Sequence, residues 1–64
     1  MIELTRLNGR RFVLNCEQIR TVEQVPDTLI TLRDGQQVTV REKMDEVVRR
    51  AVDYARLVRV FEPR

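Results

Sequence analysis

The residues that could perform chemistry are few, and they do not form a recognised catalytic set. Cys16 is the single cysteine of the 64 residues, and histidine is absent. A thiol nucleophile needs a neighbouring base or cation, whereas Cys16 stands between Asn15 and Glu17. We therefore interpret Cys16 as a core or half-buried residue. The composition excludes an internal disulfide and an ordinary zinc site.

The acidic residues and glycines are better explained by turns than by catalysis. Several carboxylates occur singly near predicted turns, namely Glu17, Glu23, Asp27 and Asp34. Turn geometry alone accounts for Asp27 and Asp34. Gly9 and Gly35 each stand in a hairpin signal, so neither belongs to a phosphate-binding loop. We predict a protein that is not an enzyme and that needs no cofactor or metal.

The first two thirds of the chain alternate between apolar and polar residues with the period of β-strands. Asn8-Gly9 and Asp34-Gly35 are typical of hairpin turns, and we assign the first to type I′ because both positions tolerate positive φ. Pro26-Asp27 interrupts another run, since proline cannot donate to a sheet. Strands are predicted at 2–6, 11–15, 19–25, 28–32 and 37–41. Their shared apolar face is Leu4, Phe12, Leu14, Ile19, Ile30, Leu32, Val38 and Val40.

The period changes near residue 43 to that of a helix. One apolar stripe is predicted to cover the sheet: Met44, Val47, Val48, Ala51, Val52 and Ala55. Asp45 and Glu46 in the first turn suit the helix dipole, although Lys43 is a poor N-cap. We expect an α+β, mainly β, fold in one domain over 1–64. It consists of a small antiparallel meander of four to five strands over 1–41, followed by one C-terminal helix over 43–61.

A second apolar stripe follows the first: Tyr54, Leu57, Val58 and Phe61. Two interpretations stay open, because this stripe could fold back onto the domain's own sheet or dock onto a copy or a partner. The period of residues 57–61 also fits an extra strand. A chain of this length buries little surface and has no disulfide or metal to reinforce it, so we expect a homo-oligomer.

The charge is mildly basic, with 12 Lys and Arg against 10 Asp and Glu, and a net charge of +2. This is far from the dense cationic field of a dedicated DNA-binding protein. The arginines near the C-terminus could face solvent, an acidic protein or the inner membrane leaflet, whereas the scarcity of aromatic residues argues against nucleic acid. No signal-peptide pattern begins the chain, so we expect a cytoplasmic protein.

Several stretches, taken in order, resemble one family. They are Met1-Ile2-Glu3-Leu4-Thr5-Arg6-Leu7-Asn8-Gly9, Phe12-Val13-Leu14-Asn15, Ile19 with Val22-Glu23, Pro26-Asp27-Thr28 with Ile30-Thr31-Leu32, and Gly35 with Val40. Over residues 1–55 the chain is similar to the small bacterial flagellar FlbD family, also called the swarming motility protein SwrD family. The specific part is the Leu-Thr-Arg-Leu-Asn-Gly opening combined with the Pro-Asp-Thr turn.

The resemblance implies a role in motility, because members of this family are encoded among flagellar genes, commonly near those of the stator proteins MotA and MotB. It brings no catalytic residues. Our first hypothesis is a flagellar accessory protein that contacts stator or motor proteins at the flagellar base on the inner membrane. The candidate interface lies on the C-terminal helix: Arg49, Arg50, Tyr54, Leu57, Val58 and Phe61.

Two other hypotheses remain. The chain could be an RNA-binding post-transcriptional regulator of flagellar genes, because the carbon storage regulator family also consists of short dimeric β-proteins. It could instead be a structural oligomer whose assembly is its function.

Overall fold

The alternating pattern produces five strands and the helical period produces one C-terminal helix, so the expected mainly β, α+β fold is confirmed. The computed structural model describes the backbone of residues 1–61 and the side chains of residues 1–58. In chain order the elements are β1 (Ile2–Thr5), β2 (Arg11–Leu14), a 3₁₀ helix (Cys16–Gln18), β3 (Ile19–Gln24), β4 (Thr28–Leu32), β5 (Gln37–Val40) and α1 (Met44–Phe61). The helix therefore includes residues 57–61, whose period also fitted a strand.

The strands form two antiparallel sheets where the sequence suggested a single meander. β1 pairs with β2, and the second sheet has the order β3-β4-β5. A bridge between Arg6 and Val40 joins the sheets, together with a hydrogen bond of 2.8 Å from the N–H of Arg41 to the carbonyl of Thr5. The chain leaves β2 through the 3₁₀ helix instead of a tight turn, so β2 and β3 do not pair.

The first hairpin does not contain the type I′ turn assigned from Asn8-Gly9. That turn needs positive φ at both positions, but Gly9 has φ +90° and no residue other than glycine has positive φ in the described chain. The N–H of Gly9 donates to the carbonyl of Arg6, and the N–H of Arg6 donates to the carbonyl of Arg10. These bonds define a three-residue loop, in which a type I turn is followed by a glycine bulge.

The second hairpin has the same construction. The N–H of Gly35 donates to the carbonyl of Leu32, and the Asp34 carboxylate accepts from the N–H of Gln36 at 2.9 Å. Asn8 makes the equivalent bond to the N–H of Arg10, also at 2.9 Å. Asn or Asp is therefore selected here for its side-chain acceptor, and glycine for its positive φ. Between these hairpins, Pro26 and Asp27 lie in the turn from β3 to β4, as predicted.

The core lies where the two sheets meet beneath α1. Its buried apolar residues are Ile2, Leu4, Leu14, Ile30, Val40 and Val47. Every residue of the predicted sheet face is either in this core or packed against it. Sequence alternation therefore identified the inner face of the strands correctly.

The predicted inner stripe of the helix is wrong in part. Val47 is fully buried and Ala51 is half-buried, but Met44, Val48 and Val52 are 40%, 48% and 43% exposed. Tyr54, assigned to the outer stripe, packs against the core instead. The helix is thus rotated relative to the predicted orientation.

The loop geometry predicts a stability effect at Gly35. A Cβ at this position would meet no atom within 4 Å, so Gly35→Ala tests the backbone conformation alone. We expect a loss of about 1 kcal/mol in the free energy of unfolding, because the left-handed region is strained for alanine. Urea unfolding measures the loss, and the neighbouring substitution Gln36→Ala serves as the control. An unchanged transition for Gly35→Ala would contradict the bulged loop.

Candidate interaction surface

The segment between β5 and α1 forms hydrogen bonds with the first hairpin and with the three-stranded sheet. The Glu42 carboxylate accepts hydrogen bonds from the N–H and the hydroxyl of Thr5, each at 2.9 Å. The preceding Arg41 directs its guanidinium to the carbonyl of Leu7, with distances of 3.0 and 2.8 Å. The hydroxyl of buried Thr28 donates to the carbonyl of Glu42. We refer to Arg41 and Glu42 as the joint, because they link the first hairpin to the three-stranded sheet at the start of α1.

Arg50 connects the helix to this joint. Its Nη1 donates to the carbonyl of Glu3 at 2.7 Å and lies 3.3 Å from Oε2 of Glu42. Its Nε donates to the Glu46 carboxylate, one helical turn earlier, at 3.0 Å. Three acceptors around one planar guanidinium restrict its position, and with it the rotation of α1 about its axis.

The start of α1 is capped from another element. Lys43 cannot cap the helix with its side chain, but the amide oxygen of Gln24 accepts from the N–H of Met44 at 2.9 Å. Gln24 is the last residue of β3, so this bond also fixes the helix start to the edge of the three-stranded sheet. The weak sequence signal for an N-cap is compensated by a contact that only the fold provides.

The Glu42 carboxyl has a pKa below its ordinary value of 4.5. Burial raises this pKa, but the hydrogen bonds from Thr5 and from the backbone N–H of Glu42, together with the charge of Arg50, lower it by more in total. Because the carboxylate form is favoured in the folded chain, the joint stabilises the fold above the unfolded-state pKa. This stabilisation is lost as the pH falls through the folded-state pKa.

An open groove runs between α1 on one side and the 3₁₀ helix with β3 on the other. It has a volume of about 590 Å³. Its walls are mostly apolar, and the lining includes Cys16, Ile19, Val22, Ala51, Tyr54 and Val58. Two other concave regions, one beside Arg20 and Arg33 and one beside Glu3 and Asp53, are smaller, with volumes of about 380 and 350 Å³.

A β-bulge explains why Ile19 and Val22 both line this groove. Residues three apart in a regular strand point to opposite faces. The pairing of β3 with β4 shifts between Ile19 and Thr21, which leaves Arg20 as the extra residue. The bulge reverses the alternation, so both side chains reach the same face. Sequence reasoning missed Val22 in the apolar face because a bulge leaves no clear mark in the sequence.

The outer face of α1 carries two adjacent strips. We call Met44, Val48, Val52 and Ala55 the apolar ridge; all four are exposed. At about 100° per residue, a second strip lies on the side of the ridge that faces away from the groove. We call this strip the charged flank; its residues are Asp45, Arg49, Asp53 and Arg56, and all are exposed.

The last turn of α1 with described side chains is more exposed than the turn before it. The four consecutive residues from Ala55 to Val58 are all exposed, although Ala55 and Val58 also line the groove. Leu57 is 55% exposed and Val58 is 42% exposed. This uncovered turn is the part of the predicted second stripe that remains accessible to a partner.

The predicted interface residues therefore separate into three groups. Arg49, Leu57 and Val58 are exposed. Arg50 is engaged by Glu42, Glu46 and Glu3, and Tyr54 is half-buried against the core. The side chain of Phe61 lies outside the described residues. Sequence reasoning assigned Val48 and Val52 to the interior, so it missed the ridge as an accessible surface.

Neither a metal cluster nor a membrane-spanning helix is found in the part of the chain that the structure describes. No group of three or more His, Cys, Asp or Glu side chains in that part is arranged to hold a metal ion. The described helix is too polar or too short to cross a membrane.

One family comparison gives a match. The model of a family described as FlbD, flagellar and swarming motility proteins, matches residues 1–59 of the chain. The matched range includes the joint, the groove, the apolar ridge and Leu57. No match was found among curated proteins or among solved structures.

The joint predicts a large effect at Glu42. Glu42→Gln is expected to lower the free energy of unfolding by about 1–3 kcal/mol near neutral pH, because the charge-assisted bonds to Thr5 and Arg50 are lost. Glu46→Gln removes the other carboxylate on Arg50 at a more exposed position, and about 0.5 kcal/mol is expected there. Urea unfolding of both variants against the wild type measures the difference.

The same pair tests the pH dependence. The difference in the free energy of unfolding between wild type and Glu42→Gln should shrink as the pH falls below 4.5. Protonation of Glu42 then makes the wild-type side chain neutral, as glutamine already is. A difference of unchanged size in strong acid would show that the charge of Glu42 does not contribute to stability.

Proposed function

Because the chain belongs to the FlbD family of flagellar and swarming motility proteins, we propose that it supports motility by binding a stator or motor protein, and that it is not an enzyme. The observation that carries this proposal is the uncovered helical turn, with Leu57 55% exposed. An exposed helical turn with apolar side chains suits the recognition mode in which a partner's groove receives a helix.

The charges around Leu57 indicate the kind of partner. Arg56 is exposed next to Leu57 and can contact an acidic side chain at the rim of an apolar groove. Arg50 and Tyr54 are used within the chain and Val58 also lines the groove, so we centre the surface on Leu57. We propose a cytoplasmic location at the flagellar base, where a partner's cytoplasmic loop and the inner leaflet would both be within reach.

The aromatic residues favour protein contact over the RNA-binding alternative. Arg6 covers the ring of Phe12, with its guanidinium carbon 4.4 Å from the ring centroid, and Tyr54 packs against the core. Neither ring is an open platform for stacking an unpaired base.

Leu57→Asp tests the proposed surface. We expect reduced swarming and reduced capture of stator or motor proteins, with binding weakened by at least about tenfold, because a carboxylate would be buried at an apolar contact. Val25→Asp is the matched control, since Val25 is 82% exposed and lies in the turn between β3 and β4, outside the groove lining and away from Leu57 in the chain. Immunoblots should show equal protein levels. Normal swarming and capture with Leu57→Asp would overturn the surface assignment.

An electrophoretic shift with flagellar transcripts tests the alternative. We expect no shift at low micromolar protein over a series of salt concentrations. Tight binding that weakens steeply with salt would instead favour a regulator that contacts RNA phosphates.

A further inference from the structure

We propose that two copies of this chain associate through the apolar ridge of α1, with the two helices antiparallel and related by a two-fold axis near Ala51. The ridge of one copy then lies against the ridge of the other, and the two grooves meet beside it. The inference rests on the surface of α1 alone and does not depend on the proposed flagellar partner.

The first argument is the continuity of the apolar surface. Val48 and Val52 are 48% and 43% exposed, and both also line the groove. Ridge and groove therefore form one patch that extends from the helix to Ile19 and Val22. Other exposed apolar residues in the described chain, such as Val13 and Val25, lie on separate strands or loops. Contiguous apolar patches of a few hundred Å² on small proteins generally mark interaction sites.

The second argument compares this patch with the size and apolar fraction of a typical dimer interface. A standard interface takes roughly 800 Å² from each partner, and about 60% of it is apolar. Ridge and groove together offer an exposed apolar surface for such an interface, in a chain with only six buried apolar residues among those described. The ridge consists mainly of Val and Ala, which allow two helices to approach to about 8–10 Å.

The third argument identifies the occupant as a second copy. Charges on the flank alternate along the helix, in the order Asp45, Arg49, Asp53 and Arg56. In an antiparallel pair centred near residue 51, Arg49 faces Asp53 of the second copy, and Asp45 faces Arg56. The two-fold axis repeats each pair. A parallel arrangement with its two-fold axis along the helices would place the charged flank of one copy beside the groove of the other and would align the helix dipoles.

The same two-fold symmetry places each strip of one copy beside the equivalent strip of the other copy. A two-fold axis normal to the plane of the two helices brings flank against flank and groove against groove. Val48 then faces Ala55 of the second copy, so a larger residue meets a smaller one across the ridge. Glu17, an exposed acidic residue that lines the groove, lies at its rim. Leu57 lies about 180° around the helix from Val48, outside the interface.

Sedimentation equilibrium of the full chain at concentrations up to about 100 µM tests the proposal, since this range saturates a Kd of micromolar order. We expect twice the chain mass of 7.6 kDa for the wild type. Val52→Asp should give the monomer mass with an unchanged circular dichroism spectrum. Val25→Asp should remain dimeric. A monomeric wild type, or a folded Val52→Asp variant that still dimerises, would overturn the proposal.

A charge exchange tests the orientation of the pair. Arg49→Asp alone should weaken dimerisation roughly three- to tenfold at low salt, because the introduced carboxylate would face Asp53 of the other copy, twice over in the symmetric pair. The double variant Arg49→Asp with Asp53→Arg should restore the wild-type Kd. Failure of the double variant to recover would overturn the antiparallel arrangement. Leu57→Asp should leave the dimer intact, which separates this proposal from the flagellar contact.

Discussion

The hydrogen-bonded joint at Arg41 and Glu42 is the contact on which the rest of the fold depends. Neither sheet is large enough to bury a core by itself, and a two-stranded sheet is marginal in isolation. The joint binds the end of β1 at Thr5, receives the hydroxyl of Thr28 from β4, and begins α1. A few hydrogen bonds therefore hold the two small sheets and the helix in place around one core.

Arg50 holds α1 against the joint in the observed orientation. Its contacts with Glu42 and with the carbonyl of Glu3 lie on one side of the helix, while Val48 and Val52 are exposed on another. Val47 and Tyr54 pack into the interior, and a continuous apolar ridge remains on the surface.

These relations explain how far the sequence could predict the structure. Strands and their inner faces were predictable because alternation and the two Gly turns are local signals. The turn type, the bulge at Arg20 and the Gln24 cap were not, since each depends on a partner elsewhere in the chain. The helix was found, but the apolar stripe with Val48 and Val52 was assigned to the interior, whereas Val47 and Tyr54 are the residues that contact the core. The residues of the accessible ridge were therefore predicted to lie in the core.

A small chain that binds other proteins must divide a limited surface among several contacts. Here the division follows the helix: its inner side completes the core through Val47, its outer ridge is apolar, and its last turn with described side chains exposes Leu57. The groove beside the ridge exists because the 3₁₀ helix carries the chain from β2 to β3 without pairing them. A tight turn there would allow the strands to pair and would change the wall of the groove. The two sheets are separated at this point, unlike the strands of a simple meander. The groove that is available for association lies beside this break.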